Sequence, residues 1–153
     1  MASVVDILRE QHTSILHALD AGRGAGAEQA AAALDAHEAA KRAAVYPVVA
    51  RRGAPAARLV VDLTLESDEL RSPDTRSTVG QRAAAHFGRE EAELLPILER
   101  YSDEEELETM ALALEAAIRL VAPDAPMGHE PTPEHGVGPS EAIIAHVQDP
   151  APG

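Results

Sequence analysis

Apolar positions along the chain return every three or four residues, the repeat of a helix with one buried face. Val5, Leu8, His12, Ile15, Leu16 and Leu19 share one such stripe. Ser3 and Asp6 stand before it in capping-box spacing, a hydroxyl for the first free amides and a carboxylate for the positive helix end. The stripe stops at Gly22-Arg23-Gly24-Ala25-Gly26, where glycine supplies the freedom of a turn. A second stripe over about 27–52 carries Ala30, Ala33, Leu34, His37, Lys41, Ala44 and Val48. Gly53-Ala54-Pro55 ends it, and Pro55 suits the first turn of a third helix reaching about Arg71, with Leu59, Val60, Leu63, Ser67 and Leu70 inward. Ser72-Pro73-Asp74-Thr75 reads as a loop. A fourth helix over about 76–100 turns Val79, Ala83, His86, Glu90, Leu94 and Ile97 inward. Ser102-Asp103-Glu104-Glu105 reads as a second capping box, followed by a fifth helix bearing Leu107, Met110, Leu114, Ala117, Ile118 and Val121. No segment alternates like a strand. The pattern predicts an all-α protein, an up-down four-helix bundle with one additional C-terminal helix.

Beyond Val121 the pattern changes. Pro123, Pro126, Pro131, Pro133, Pro139, Pro150 and Pro152 are too many for a continuing helix. The expected organisation is a bundle over 1–121 and a Pro-rich tail over 122–153. Within the tail, Ser140 caps a short helix over about 140–147 that docks its Ala142, Ile143, Ile144 and Val147 on the body.

Composition narrows the function. With 153 residues there is room for one domain. A formal net charge of −13 repels phosphate backbones, so no nucleic-acid partner is expected. The absence of Cys excludes disulfides, thiolate metal sites and Cys nucleophiles. No apolar run approaches the ~20 residues of a membrane span, and the first residues lack a signal-peptide layout, so a cytoplasmic protein without a membrane partner is expected. The three aromatic residues, Phe87, Tyr46 and Tyr101, supply few stacking platforms for flat ligands.

One internal similarity stands out. His37-Glu38-Ala39-Ala40-Lys41 leads to Tyr46-Pro47, and 49 positions later His86-Phe87-Gly88-Arg89-Glu90 leads to Leu95-Pro96. A weaker echo links Glu10-Gln11-His12 with Leu65-Glu66-Ser67 in the preceding helices. The chain thus reads as two helix-pair halves. Residues four apart share a helix face, so His86 and Glu90 aim at one spot, as do His37 and Lys41. With His12 and Ser67 they would form a polar cluster inside the bundle, which is costly unless its members are paired or ligated.

These residues resemble the hemerythrin-like, or HHE cation-binding, family over about residues 3–121. That family is a four-helix bundle with His on the first helix, His-x-x-x-Glu on the second, His on the third and His-x-x-x-Glu or Asp on the fourth. The resemblance implies a non-haem iron centre for dioxygen, nitric oxide or peroxide chemistry, or for sensing. It assigns His12, His37, His86 and Glu90 as metal ligands. Two positions depart: Lys41 stands where the pattern has a bridging Glu, and Ser67 where it has His. At ~4 Å and an effective dielectric near 20, exchanging a carboxylate's attraction for an ammonium's repulsion changes the energy by on the order of 4 kcal/mol per contact in each direction. The resemblance then implies an incomplete, mononuclear site, with His12, His37 and Glu90 holding iron or another divalent first-row metal and His86 as a fourth ligand or outer donor. Dioxygen or a small metabolite would be its partner.

The residues also admit a metal-free reading. Lys41 reaches Glu90 across the core, the histidines complete a hydrogen-bond network, and Lys41, Glu90 and His86 become candidate catalytic groups of a small-molecule pocket. Blander roles stand beside each of these. Lys41 can snorkel to solvent, Ser67 can be a small filler, and Tyr46 can serve core packing alone. Glu38, about 100° round the helix from His37, is a remote substitute ligand. His17 reads as surface, as do His129 and His135 in the tail, with His146 on its short helix a candidate for docking.

Overall fold

The computed structural model describes residues 2–123, and every regular element among them is helical. From residue 124 on, the expected tail, with its short helix at 140–147 and its histidines, lies outside the described residues. Among the described residues seven α-helices follow one another: α1 (Val4–Ala21), α2 (Ala25–Ala44), α3 (Tyr46–Ala50), α4 (Ala54–Leu70), α5 (Val79–Arg89), α6 (Leu95–Tyr101) and α7 (Glu104–Val121). Ser3 caps α1 in the expected box, with its hydroxyl accepting from the Asp6 amide. At α7 the cap is Asp103 rather than Ser102; its carboxylate accepts from the Glu106 amide at 2.8 Å. A carboxylate there faces the positive helix end as well as closing the free amides.

Two helices expected to be continuous are broken, each near a proline. The second divides at Val45, between α2 and α3, just before Pro47. The fourth begins as a 3-10 turn over Pro73–Thr78, where a loop was expected, runs through α5, widens into a π turn over Glu90–Leu94, and resumes as α6 just before Pro96. Proline lacks an amide and crowds the carbonyl four residues back. The π turn relieves that conflict, because the Leu95 amide reaches back five residues to the Glu90 carbonyl. It also falls on Glu90 itself, the kind of place where π turns gather.

The helix runs of α1, α2, α4 and α5 each pass through the same layers, apolar, polar and apolar. A large apolar cluster holds Val4, Val5 and Leu8 of α1, Leu59 and Leu63 of α4, Leu94, and Met110 and Leu114 of α7. A smaller one holds Ile15, Leu34, Leu70, Ala83 and Phe87. Between them in register, on α1, α2, α4 and α5, come His12, then His37 with Lys41, then Ser67, then His86 with the following Glu90, all buried. The order runs from large cluster to small along α1 and α4, and from small to large along α2 and α5. The packed pairs include α1 with α2 and α5, α4 with α5, and α7 with α1 and α2. A polar layer is thereby held between two apolar ones.

Candidate functional site

Lys41 stands at the centre of the polar layer and is wholly buried, so its stem does not snorkel to solvent. Its Nζ lies 2.6 Å from Glu90 Oε2, 2.7 Å from Glu38 Oε1 and 3.5 Å from His86 Nε2. Glu38 is therefore part of the cluster, although its step along the helix from His37 argued for another direction. The missed signal is the i, i+3 spacing of Glu38 and Lys41, which brings an acid and a base together on one helix. Lys41 donates to Glu90 in hydrogen-bond geometry, whereas it meets Glu38 as an ion pair without that alignment.

His12, His37 and Glu90 each offer one ligand atom, and the three atoms lie within 4.8 Å of one another. The outer face of each imidazole is held in place. His37 Nδ1 contacts Gln11 Oε1 at 2.8 Å, and His12 Nδ1 contacts Glu91 Oε1 at 2.9 Å. Both oxygens are acceptors, so both Nδ1 atoms carry the hydrogen and both Nε2 atoms turn inward. Among the described residues His37 Nε2 has no hydrogen-bond partner, and His12 Nε2 lies 3.1 Å from Glu90 Oε2 without the alignment of a hydrogen bond. Burial, reinforced by Lys41, holds His37 well below the usual imidazole range, so its Nε2 is a bare lone pair in the core. Phe87, the chain's only Phe, stacks on His12 with ring centres 4.1 Å apart and planes 9° apart, and meets His37 edge-on at 5.3 Å. It fixes both ring planes, a role its position beside His86 did not suggest.

Comparison of the chain with protein-family models, curated proteins and solved structures gives no match. The geometry alone carries the functional reading.

His86, assigned as a fourth ligand, lies outside that three-residue group. Its Nε2 faces Glu38 Oε2 at 3.3 Å and Glu90 Oε1 at 3.6 Å, while its Nδ1 contacts Glu66 Oε2 at 3.0 Å. Burial works against its protonation, yet the Glu38 carboxylate and then Glu90 raise its pKa above the ordinary value, opposite to His37. Glu66 is steadied from outside by Arg89, which also contacts Glu93 at 3.0 Å. A surface cleft lined by Glu66, Glu69, Leu70, Arg82, Ala85 and Arg89 reaches His86.

Both buried carboxylates are held ionised. Burial pushes Glu38 up, but Lys41 and His86 reverse this and lower it to about 2. Burial likewise acts on Glu90, and Lys41, His12 and His86 carry it far below the carboxylate range. Tyr46 belongs to the site and not to packing alone: its hydroxyl donates to Glu90 Oε1 at 2.7 Å. Burial and then the Glu90 charge hold the phenol proton far more tightly than usual. Ser67 is buried with its hydroxyl unpartnered among the described residues, and His17 is exposed as expected.

Proposed function

We propose that the protein is an up-down four-helix bundle of the hemerythrin-like kind that holds a single divalent first-row metal ion, iron above all, for dioxygen-linked or redox chemistry or for sensing. The observation carrying this reading is the convergence of two Nδ1-anchored imidazoles, whose Nε2 atoms lack hydrogen-bond partners among the described residues, with the Glu90 carboxylate. Two imidazoles and one carboxylate with open positions are a donor set suited to non-haem Fe(II). An iron ion bound there would supply redox change and a place for dioxygen or another small ligand. The chain's own residues do the rest. Gln11 and Glu91 fix the imidazole tautomers, Phe87 fixes their planes, and Tyr46 and Lys41 hold the Glu90 carboxylate in place. The reversal of layer order from α1 to α2, from α2 to α4 and from α4 to α5 supports the up-down bundle.

The test is metal content after purification without chelator, together with the electronic spectrum. One iron per chain without an oxo-bridged band is expected, and H37A should lose it. No iron, and no uptake of added Fe(II) under anaerobic conditions, would overturn the reading; two irons with an oxo-bridged band would overturn its single-ion form.

A second reading rests on the Lys41–Glu90 contact at 2.6 Å. Here the ion network is complete without metal and serves a small-molecule pocket reached through the cleft at His86. It predicts full stability in chelator and a metabolite whose binding is lost in H86A.

A further inference from the structure

We infer that the Lys41 ammonium is the second cation of a two-cation site, occupying a metal position built from Glu38, His86 and Glu90. This rests on the proposed function only for the first ion; the donors around Lys41 are a second set that shares Glu90 with the first.

Four observations carry it. Lys41 Nζ has donor atoms round it as a bound ion would, with Glu90 Oε2 at 2.6 Å, Glu38 Oε1 at 2.7 Å and His86 Nε2 at 3.5 Å. The third donor is oriented as metal-bound histidines are, with its outer nitrogen fixed on a carboxylate, Glu66 Oε2 at 3.0 Å. Glu90 is shared, since the oxygen that meets Lys41 also lies 3.1 Å from His12 Nε2. A carboxylate placed between two donor sets is the arrangement that joins two cations. Glu38 completes the second set: it is fully buried, and among the described residues neither of its oxygens has a partner in hydrogen-bond geometry, so cationic charge is what compensates it.

The ammonium satisfies this set with one charge on a covalent tether. It cannot be chelated away, and it excludes a divalent ion from the position. Lys41 thereby determines how many metal ions the core takes. Truncating it should open the second position without any change at Ser67, because Glu38 supplies the donor that Ser67 does not.

Titration with Co²⁺, followed by visible absorption and by ion count after gel filtration, tests this. One ion per chain is expected in the wild type, two in K41A, and one again in K41A/E38Q. If the wild type takes no ion while K41A takes one that is lost in K41A/E38Q, the first-ion reading fails and the role of Lys41 stands. If K41A is folded by circular dichroism and takes no more Co²⁺ than the wild type, the inference is overturned. If K41A does not fold alone, Co²⁺ or Zn²⁺ present during refolding should restore helicity, and K41A/E38Q should need more metal; failure of both ions to restore K41A overturns it.

Discussion

The His37–Lys41 and His86–Glu90 blocks occupy equivalent places in two helix pairs, yet they do opposite electrostatic work. At the fourth position after His, one copy carries a cation and the other an anion, and the two meet at 2.6 Å. The repeat has become an ion pair across the core. The histidines diverge in the same way. His37 rests on the neutral Gln11 beside Lys41, and burial with Lys41 drives its proton off. His86 sits among Glu38, Glu66 and Glu90 and holds its proton more firmly than usual. Even the residues one step further differ, since Glu91 holds His12 while Arg42 holds Asp68, beside Ser67. Identical spacing sets where a side chain points; the sign of its neighbours sets its chemistry.

Making the two blocks alike should have the largest effect. K41E places a third carboxylate against Glu38 and Glu90, and breaking a buried pair in this way costs about 3–5 kcal/mol or more. Urea unfolding should show this, and the swap K41E/E90K should recover part of the loss. Removing the phenol that braces only the Glu90 side comes next. Y46F should cost about 1.5–3 kcal/mol, the range for a hydrogen bond to a charged group, with the urea slope unchanged.

Acid should act on both blocks through their carboxylates. The folded values of Glu38 and Glu90 lie below the ordinary 4.5, at about 2 for Glu38, so their contribution is complete above pH 4.5 and lost as pH falls through the folded values. E38Q should flatten the stability profile in that window. The histidines have opposite signs. The folded pKa of His37 is lowered, so its contribution is present above 6.5 and lost as pH falls. That of His86 is raised, so its contribution is present below 6.5 and lost as pH rises through the folded value. NMR titration of the ring protons should order them accordingly, and E38Q should move His86 down while leaving it above His37. The smallest effect belongs to the outer pair: R42A should change stability by about 0–1 kcal/mol, since Asp68 is 58% exposed.

Much of this was legible in the sequence. Helical periodicity placed His12, His37, Lys41, Ser67, His86 and Glu90 on inward faces, and all six are buried. The echo of Gln11-His12 in Glu66-Ser67 also carried meaning that spacing alone did not reveal. Gln11 anchors His37, and Glu66 anchors His86. Glu38 escaped because face arithmetic follows Cα directions, whereas the long stem of Lys41 brings its ammonium back over the preceding turn. Tyr46 was legible either as packing or as pocket lining, and spacing did not show that its phenol meets Glu90. The π turn at Glu90 also escaped, since a proline announces a disturbance in a helix but not the form it takes.

The central claim is that one metal ion sits among His12, His37 and Glu90 beside a resident ammonium. Anomalous diffraction at the iron edge, from crystals grown with Fe(II) under anaerobic conditions, tests it most directly. A single peak between the two Nε2 atoms and the Glu90 carboxylate, with Lys41 still against Glu38, is the predicted result. No peak in the core, or two peaks with Lys41 displaced, would contradict it.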